Sequence, residues 1–353
     1  MTIKVLIVDD SALMRALLTQ VIGNAPDIEV VGAAPDPLAA REMIKTLNPD
    51  VLTLDVEMPK MDGIEFLGRL MRLRPMPVVM ISSLTARGSE VTLQALEAGA
   101  IDFVAKPRAD SDAALLAYGD EVRDKIRAAF GTRGRLATPR PEAPIRLANA
   151  GGGFSQRLLT SHLIAIGAST GGTEAIKDVL TLLPAEMPPI VMVQHMPETF
   201  TASFAKRLDS LSALHVVEAQ GGGERLRPGT AYLAPGHSHL RVRRQGGMLL
   251  ADLDKSELRN RHRPSVDVLF DSVAEQVGRD ATGIILTGMG KDGAQGMLKM
   301  RNAGAWTIGQ DQDSCVVYGM PREAAQVGAV AEVAPLGQIS VRLLERLRKC
   351  ERG

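Results

Sequence analysis

Two groups of residues in this chain have the types and spacing to do chemistry. The first is an acidic set: Asp9 and Asp10, then Asp55, with Ser82 and Lys106 further along. Carboxylates brought to one place repel each other unless a cation joins them, and an all-oxygen set suits Mg2+. A lysine opposite suits an anion bound or formed there. The second group begins at Gly167-Ala168-Ser169-Thr170-Gly171, which fits G-x-S-x-G. Glycines around a serine permit a sharp strand-to-helix turn that lifts the hydroxyl near helix N–H donors. Such a serine needs a base and the base an orienting carboxylate; His195 and Asp292 are the candidates.

Each of these residues stands where an apolar run stops. In the first 106 residues the runs are Val5–Val8, Val30–Ala33, Val51–Leu54, Val78–Ile81 and Phe103–Ala105. They are short and rich in Val and Ile, as strands buried on both faces are. Helical periodicity lies between them: Leu13, Leu17 and Val21 recur every four residues, one stretch opens at Asp62-Gly63, and another spans Glu90–Ala98. Five β/α units of this kind make a doubly wound parallel sheet, with chemistry at the carboxyl ends of its strands. Further runs at Leu163–Gly167, Ile190–Gln194, Ala231–Ala234, Met248–Leu253, Gly283–Thr287 and Trp306–Gln310 predict a second, largely parallel α/β sheet. The segment from Ala231 to Asp252 lacks a helical pattern and carries turn signals, so it predicts an inserted antiparallel hairpin. The expected organisation is a first domain over 1–125, a linker over 126–160 and a second domain over 161–350. Within the linker, 131–157 is rich in Gly, Pro and Ala, with five Arg against one Glu, and reads as a solvated tether.

Rival readings exist for two motifs. Gly288, Gly290 and Gly293 match G-x-G-x-x-G, with Asp311 about 20 residues beyond, which is the dinucleotide fingerprint. Against it, Asp292 lies inside the loop that would have to approach a pyrophosphate. His237 and His239 form H-x-H, a possible metal pair, but no third ligand stands near, and a solvated hairpin is the plainer reading. His162, His215 and His262 match no catalytic position. The chain order Ser169, His195, Asp292 differs from the Ser, Asp/Glu, His order of α/β-hydrolases.

Composition narrows the classes. In 353 residues, 41 Lys plus Arg balance 41 Asp plus Glu, so no net field draws the chain to nucleic acid or anionic lipid. The apolar fraction of 45% supports sizeable cores, and 3% aromatics argue against base-stacking platforms. Two cysteines, Cys315 and Cys350, make neither a disulfide framework nor a zinc motif. No run approaches a membrane span, and the start is not a signal peptide. A cytoplasmic protein without membrane insertion or nucleic-acid binding is expected.

The motifs taken together resemble known families. Asp9-Asp10-Ser11, DVEMPKMDG from Asp55 to Gly63, Ser82 and Lys106-Pro107 resemble the receiver domains of two-component response regulators, which are flavodoxin-like. That resemblance implies phosphorylation of Asp55 by a histidine kinase. It implies Mg2+ held by Asp10, Asp55 and the Glu57 carbonyl with Asp9 helping, Lys106 on the phosphoryl oxygens, and Ser82 as the switch hydroxyl. IAIGASTGG, IVMVQHMPETF, YLAPGHSHL, RPSVDVLF and ILTGMGKDG resemble the output domain of the chemotaxis response-regulator protein-glutamate methylesterases. This implies a Rossmann-like esterase domain that hydrolyses glutamate γ-methyl esters on methyl-accepting chemoreceptors, releasing methanol, and deamidates receptor glutamines. Ser169 would attack, His195 would carry the proton and Asp292 would orient the imidazole. Thr170 and Met289 would support the oxyanion, with no cofactor for the esterase. Phosphorylation of the receiver would relieve inhibition of the esterase.

Overall fold

The computed structural model describes residues 2–58, 63–107, 111–134 and 153–352. Packing divides the chain into two units, Met1–Glu142 and Ala143–Gly353.

The first unit alternates strand and helix: β1 Ile3–Val8, α1 Ala12–Gly23, β2 Ile28–Ala34, α2 Pro37–Leu47, β3 Val51–Asp55, α3 Gly63–Leu73, β4 Val78–Ser82, α4 Ala86–Glu97, β5 Asp102–Ala105 and α5 Asp112–Phe130. The strands lie in the order β2-β1-β3-β4-β5, all parallel. Every residue of β3 and β4 is buried, because helices cover both faces of the sheet. The order reverses beside β1, so the carboxyl ends of β1 and β3 open onto the crevice where such sheets bind ligands. Helix α5 runs to Phe130, five residues past the expected domain end at 125. Most of the expected linker, 135–152, lies outside the described residues, as does Asp62.

The second unit comprises α6 Gln156–Ser161, β6 Leu163–Ala168, α7 Gly172–Leu180, β7 Ile190–Gln194, α8 Glu198–Leu211, β8 His215–Glu218, β9 Glu224–Arg225, β10 Thr230–Leu233, β11 His239–Gln245, β12 Met248–Asp254, α9 Val266–Gln276, β13 Ala281–Ile285, α10 Ala294–Asn302, β14 Trp306–Gln310, α11 Met320–Gln326, β15 Glu332–Ala334 and α12 Leu336–Arg352. Seven strands form a parallel sheet in the order β15-β14-β13-β6-β7-β10-β8. The chain winds one way from β6 and the other way from β13, so the switch point falls between those two strands. The expected hairpin is β11–β12, and it forms a separate antiparallel sheet with β9. Its apolar face joins α9, β6 and β7 in one core containing Leu240, Val242, Leu269, Phe270 and Val193. The run expected as a strand over Gly283–Thr287 pairs over Ala281–Ile285 instead. Thr287 thus lies past the strand, where its amide donates to the Gln310 side chain at the end of β14 and its hydroxyl bonds to the loop at Val317.

Candidate catalytic site and phosphoacceptor pocket

Strand register brings Ser169 and His195 together. Ala168 of β6 pairs with Gln194 of β7, so each candidate is the first residue beyond a paired position. The His195 amide continues the ladder by donating to the Ala168 carbonyl at 3.2 Å. Adjacent strands lie about 4.8 Å apart, and that spacing separates the two backbones. Past Ser169 the chain turns at once. The Ser169 carbonyl accepts from the Gly172 amide at 2.7 Å and the Gln194 side-chain amide at 2.9 Å. Gly171, at φ +75°, then starts α7. Such a left-handed residue is cheap only as glycine. On the other side Gly288 presses on Ser169: a Cβ there would stand 2.8 Å from Ser169 Cβ.

Asp292 reaches the same crevice from the exit of β13 and is 1% exposed. Five donors hold its carboxylate. His195 Nε2 at 2.9 Å and the Val266 amide at 2.7 Å bond to Oδ2. Asn260 Nδ2 at 2.7 Å, the Ser265 hydroxyl at 2.8 Å and the Asp267 amide at 3.2 Å bond to Oδ1. Three of these donors, at 265–267, start α9, whose dipole favours an anion there. Burial alone would raise the pKa of Asp292, but the bond and charge of His195, with Asn260 and Ser265, more than reverse this and hold it far below the usual carboxylate range. An ionised carboxylate only accepts, so the neutral imidazole carries its proton on Nε2. Nδ1 is then the basic nitrogen, and it is buried without a hydrogen-bond partner.

Several contributors were not legible from sequence. The imidazole of His262 stacks on that of His195 with centroids 3.7 Å apart and planes 12° from parallel; the expectation that His262 matches no site position is corrected. Asn260 and Arg261 have positive φ, 52° and 69°, as the two central residues of a tight turn whose flanks, Arg259 and His262, are joined by an antiparallel bridge. The solvated-hairpin reading of H-x-H fails for His239, which is 0% exposed. Its Nδ1 accepts the Ser265 amide at 3.1 Å and its Nε2 donates to the Glu257 carbonyl at 3.0 Å, so it steadies a residue that holds Asp292. The glycines of G-x-G-x-x-G have local uses: Gly288 clears Ser169, while Gly290 and Gly293 adopt φ +85° and +91°. Those uses, with a clamped carboxylate inside the loop, leave the dinucleotide reading without support.

Of the elbow amides, that of Ser169 is consumed by the Thr287 carbonyl at 3.0 Å. Thr170 is 3% exposed and its carbonyl accepts from the Thr287 hydroxyl at 3.0 Å. Met289 is half-buried, and its amide bonds to no other described residue.

In the first unit Asp9 and Asp10 follow β1, Asp55 ends β3, Ser82 ends β4 and Lys106 follows β5. Asp9, Asp10 and Asp55 each offer a carboxylate oxygen, all within 4.8 Å of one another. Lys106 Nζ lies 2.8 Å from Asp55 Oδ2 and 3.5 Å from Asp9 Oδ2. Burial pushes Asp55 up to about 6, against the opposing pull of Lys106. Burial also raises Asp9. Burial works against the charge on Lys106, but its bonds to Asp55 and Asp9 prevail and raise its pKa. Asp9 Oδ2 is buried with only the Lys106 ammonium opposite it, at 3.5 Å. Three clustered carboxylates, one of them this thinly satisfied, are a donor set that fits Mg2+. Glu57 is exposed, with its amide 3.3 Å from Asp55 Oδ1. The Ser82 hydroxyl turns toward α4, 2.6 Å from that of Thr92.

An acidic pocket with its lysine on a 2-1-3-4-5 sheet defines the first unit as a response-regulator receiver, and the crevice at the β6/β13 switch point gives the second the make-up of a serine hydrolase. Residues 5–116 match the response regulator receiver domain, and residues 164–343 match the family described as CheB methylesterase. The chain belongs to that CheB methylesterase family. It is 61% identical over 350 residues to a protein-glutamate methylesterase/protein-glutamine glutaminase 1 of Dechloromonas aromatica, covering 97% of each chain. A protein-glutamate methylesterase/protein-glutamine glutaminase of Nitrosomonas europaea is 59% identical, covering 98% of this chain and 96% of that one. Among solved structures, the Thermotoga maritima CheB methylesterase catalytic domain is 43% identical with a TM-score of 0.52, covering 53% of this chain and 98% of that domain.

Proposed function

We propose that this protein hydrolyses glutamate γ-methyl esters on methyl-accepting chemoreceptors and deamidates receptor glutamines, using Ser169, His195 and Asp292, in the cytoplasm. The observation that carries the reading is the division of labour on His195: Nε2 is committed to Asp292, and Nδ1 is buried and unpartnered beside the strand end that bears Ser169. Ser169 Oγ attacks the ester carbonyl carbon while its proton passes to Nδ1. Asp292 stabilises the resulting imidazolium and keeps its tautomer. The amides of Met289 and Thr170 are the proposed donors to the oxyanion. When the tetrahedral intermediate collapses, the proton on Nδ1 goes to the methoxide oxygen and methanol leaves. Water then repeats the sequence on the acyl-serine and releases glutamate. With a glutamine the leaving group is ammonia, and the remaining steps are the same.

A histidine kinase is the proposed phosphodonor for Asp55. Asp9, Asp10, Asp55 and the Glu57 carbonyl would hold Mg2+, which neutralises charge on the transferring phosphoryl group. Lys106, 2.8 Å from Asp55 Oδ2, would pair with the phosphoryl oxygens, and Ser82 would have to leave Thr92 to reach them. No helix among the described residues is long and apolar enough to cross a membrane. The test measures methanol released from methylated chemoreceptor membranes, with and without a small phosphodonor and Mg2+. Release that rises with phosphodonor, and vanishes in Ser169→Ala, supports the reading. Equal release by Ser169→Ala overturns it.

A further inference from the structure

In the segment before α9, Asn260 bonds to Asp292 and His262 stacks on His195, and arginines stand beside them at 259, 261 and 263. Two of the three guanidinium groups are committed within the fold. Arg259 stands 3.6 Å from the carboxylate of Asp271, and Arg263 donates to the carbonyls of Lys255 and Ser256 at 3.2 and 3.0 Å. Arg261 is exposed and makes no hydrogen bond or ion pair with another described residue. It is also held at φ +69°, next to Asn260 at +52°. The two are the central residues of a tight turn closed by reciprocal amide–carbonyl bonds between Arg259 and His262, at 3.1 and 2.9 Å, where positive φ is the ordinary geometry. Here the neighbours on both sides are tied to Asp292 and His195, so the turn fixes an unpaired cation at the rim of the crevice.

We infer that Arg261 is a specificity-determining residue that binds a carboxylate on the substrate protein beside the scissile group. The inference rests on the reading that Ser169 acts on side-chain esters and amides of a receptor. The chemistry of that reaction favours it. Each turnover converts a neutral ester or amide into a glutamate, so a segment with several reactive positions presents a carboxylate next to the ones that remain. A guanidinium engages a carboxylate through two parallel N–H donors. Arg261 would therefore draw the enzyme toward acidic and partly processed segments. It touches the flanking side chain and not the reacting atoms, so its effect belongs in KM and not in kcat.

The experiment uses the full chain and methylated receptor membranes, with methanol release followed over a range of receptor concentrations and at low and high salt. Arg261→Asn removes the charge, while asparagine tolerates a positive φ and keeps the turn. Arg261→Lys keeps the charge. Arg243→Gln, on β11 and paired with Asp252, controls for loss of any exposed arginine. The expected result is a rise in KM of about five- to tenfold for Arg261→Asn, with kcat within twofold of wild type. Recovery of most of that loss is expected in Arg261→Lys, with no change in Arg243→Gln. Salt should raise KM for the wild type and do so less for Arg261→Asn, since screening weakens only the pair that is present. An unchanged KM in Arg261→Asn overturns the inference. So does a fall in kcat at constant KM, which would mean that Arg261 acts only by placing Asn260 and His262. If the wild type releases no methanol, the esterase reading fails first; sedimentation of the protein with the same membranes then decides, and equal binding by wild type and Arg261→Asn overturns the carboxylate contact.

Discussion

Asp55 and Asp292 are both 1% exposed, and both stand at the carboxyl edge of a parallel sheet, yet they are driven in opposite directions. Asp292 has five donors and is held far below the ordinary range. Asp55 has Lys106 and one long amide contact, faces other carboxylates, and is pushed up to about 6. Burial is the same in both, so what differs is how many donors the fold supplies. A carboxylate that orients a base must stay charged and still. Asp55, the proposed phosphoacceptor, has one donor on each oxygen, Lys106 and a long amide contact, and so few donors leave it undersatisfied at rest.

The strongest test of this contrast is loss of the nucleophile. Ser169→Ala should lower kcat on the order of 10⁶ with an unchanged melting temperature, and Ser169→Ala/His195→Ala should be hardly worse, because the group acts as a unit. Multiplicative losses would show that the two residues do not share one step. Next, Asp292→Asn should cut kcat by roughly 10⁴ through the wrong imidazole tautomer. By contrast Asp55→Asn should retain unphosphorylated turnover and lose phosphate incorporation. It should also stabilise the receiver at neutral pH by up to about 3 kcal/mol, since a buried charge disappears. A destabilised Asp55→Asn receiver in denaturant titration would refute the undersatisfied reading.

Smaller in effect, Gly288→Ala should lower kcat by about 10–100-fold with all three triad residues retained, because a methyl group there would meet the Met320 sulfur and stand 2.8 Å from Ser169 Cβ, and so shift the serine. Full activity there would mean that the nucleophile tolerates movement. The mildest test is pH. Asp55 is raised from 3.8 to about 6, so the folded receiver holds that proton more tightly than the unfolded chain. The stability this adds is fully present below 3.8 and is lost as pH rises through 6. In the second unit His162, buried against Thr282, is lowered to about 4, chiefly by desolvation. Its contribution is present above 6.5 and is lost as pH falls toward 4. Each effect is about 3 kcal/mol at its limit. Between pH 7 and 5, hydrogen-exchange protection of β3 and β4 should rise while that of β6 and β13 falls. Parallel changes in both units would break the contrast.

The contrast was half legible in the sequence. Apolar runs marked most buried strands because parallel strands covered on both faces carry little else, and each reactive residue stood where such a run stopped. His215–Glu218, Glu224–Arg225 and Glu332–Ala334 escaped because they are short and lie at sheet edges, where charged residues are tolerated. Asp292 was visible as a strand-end acid; its holders were not. Asn260, Ser265 and the amides of Val266 and Asp267 come from a different segment, and backbone amides leave no mark on composition. His262 had no strand before it, so nothing in its spacing revealed that its ring lies on that of His195. The nitrogen that serves as base depends on which one meets Asp292, a matter of ring orientation that spacing does not encode.

The pairing of Ala168 with Gln194 has a consequence for chain connectivity. The interval between nucleophile and base is set by hydrogen bonds across two strands, not by the covalent path between them. That path passes through Pro184, Ala185 and Glu186, all exposed. A backbone nicked there would leave the serine and the imidazole on separate polypeptides and still hold them in register. Two fragments meeting at that loop should therefore complement each other to give an active esterase, and inactive but assembled halves would show that the intact connection is needed after all.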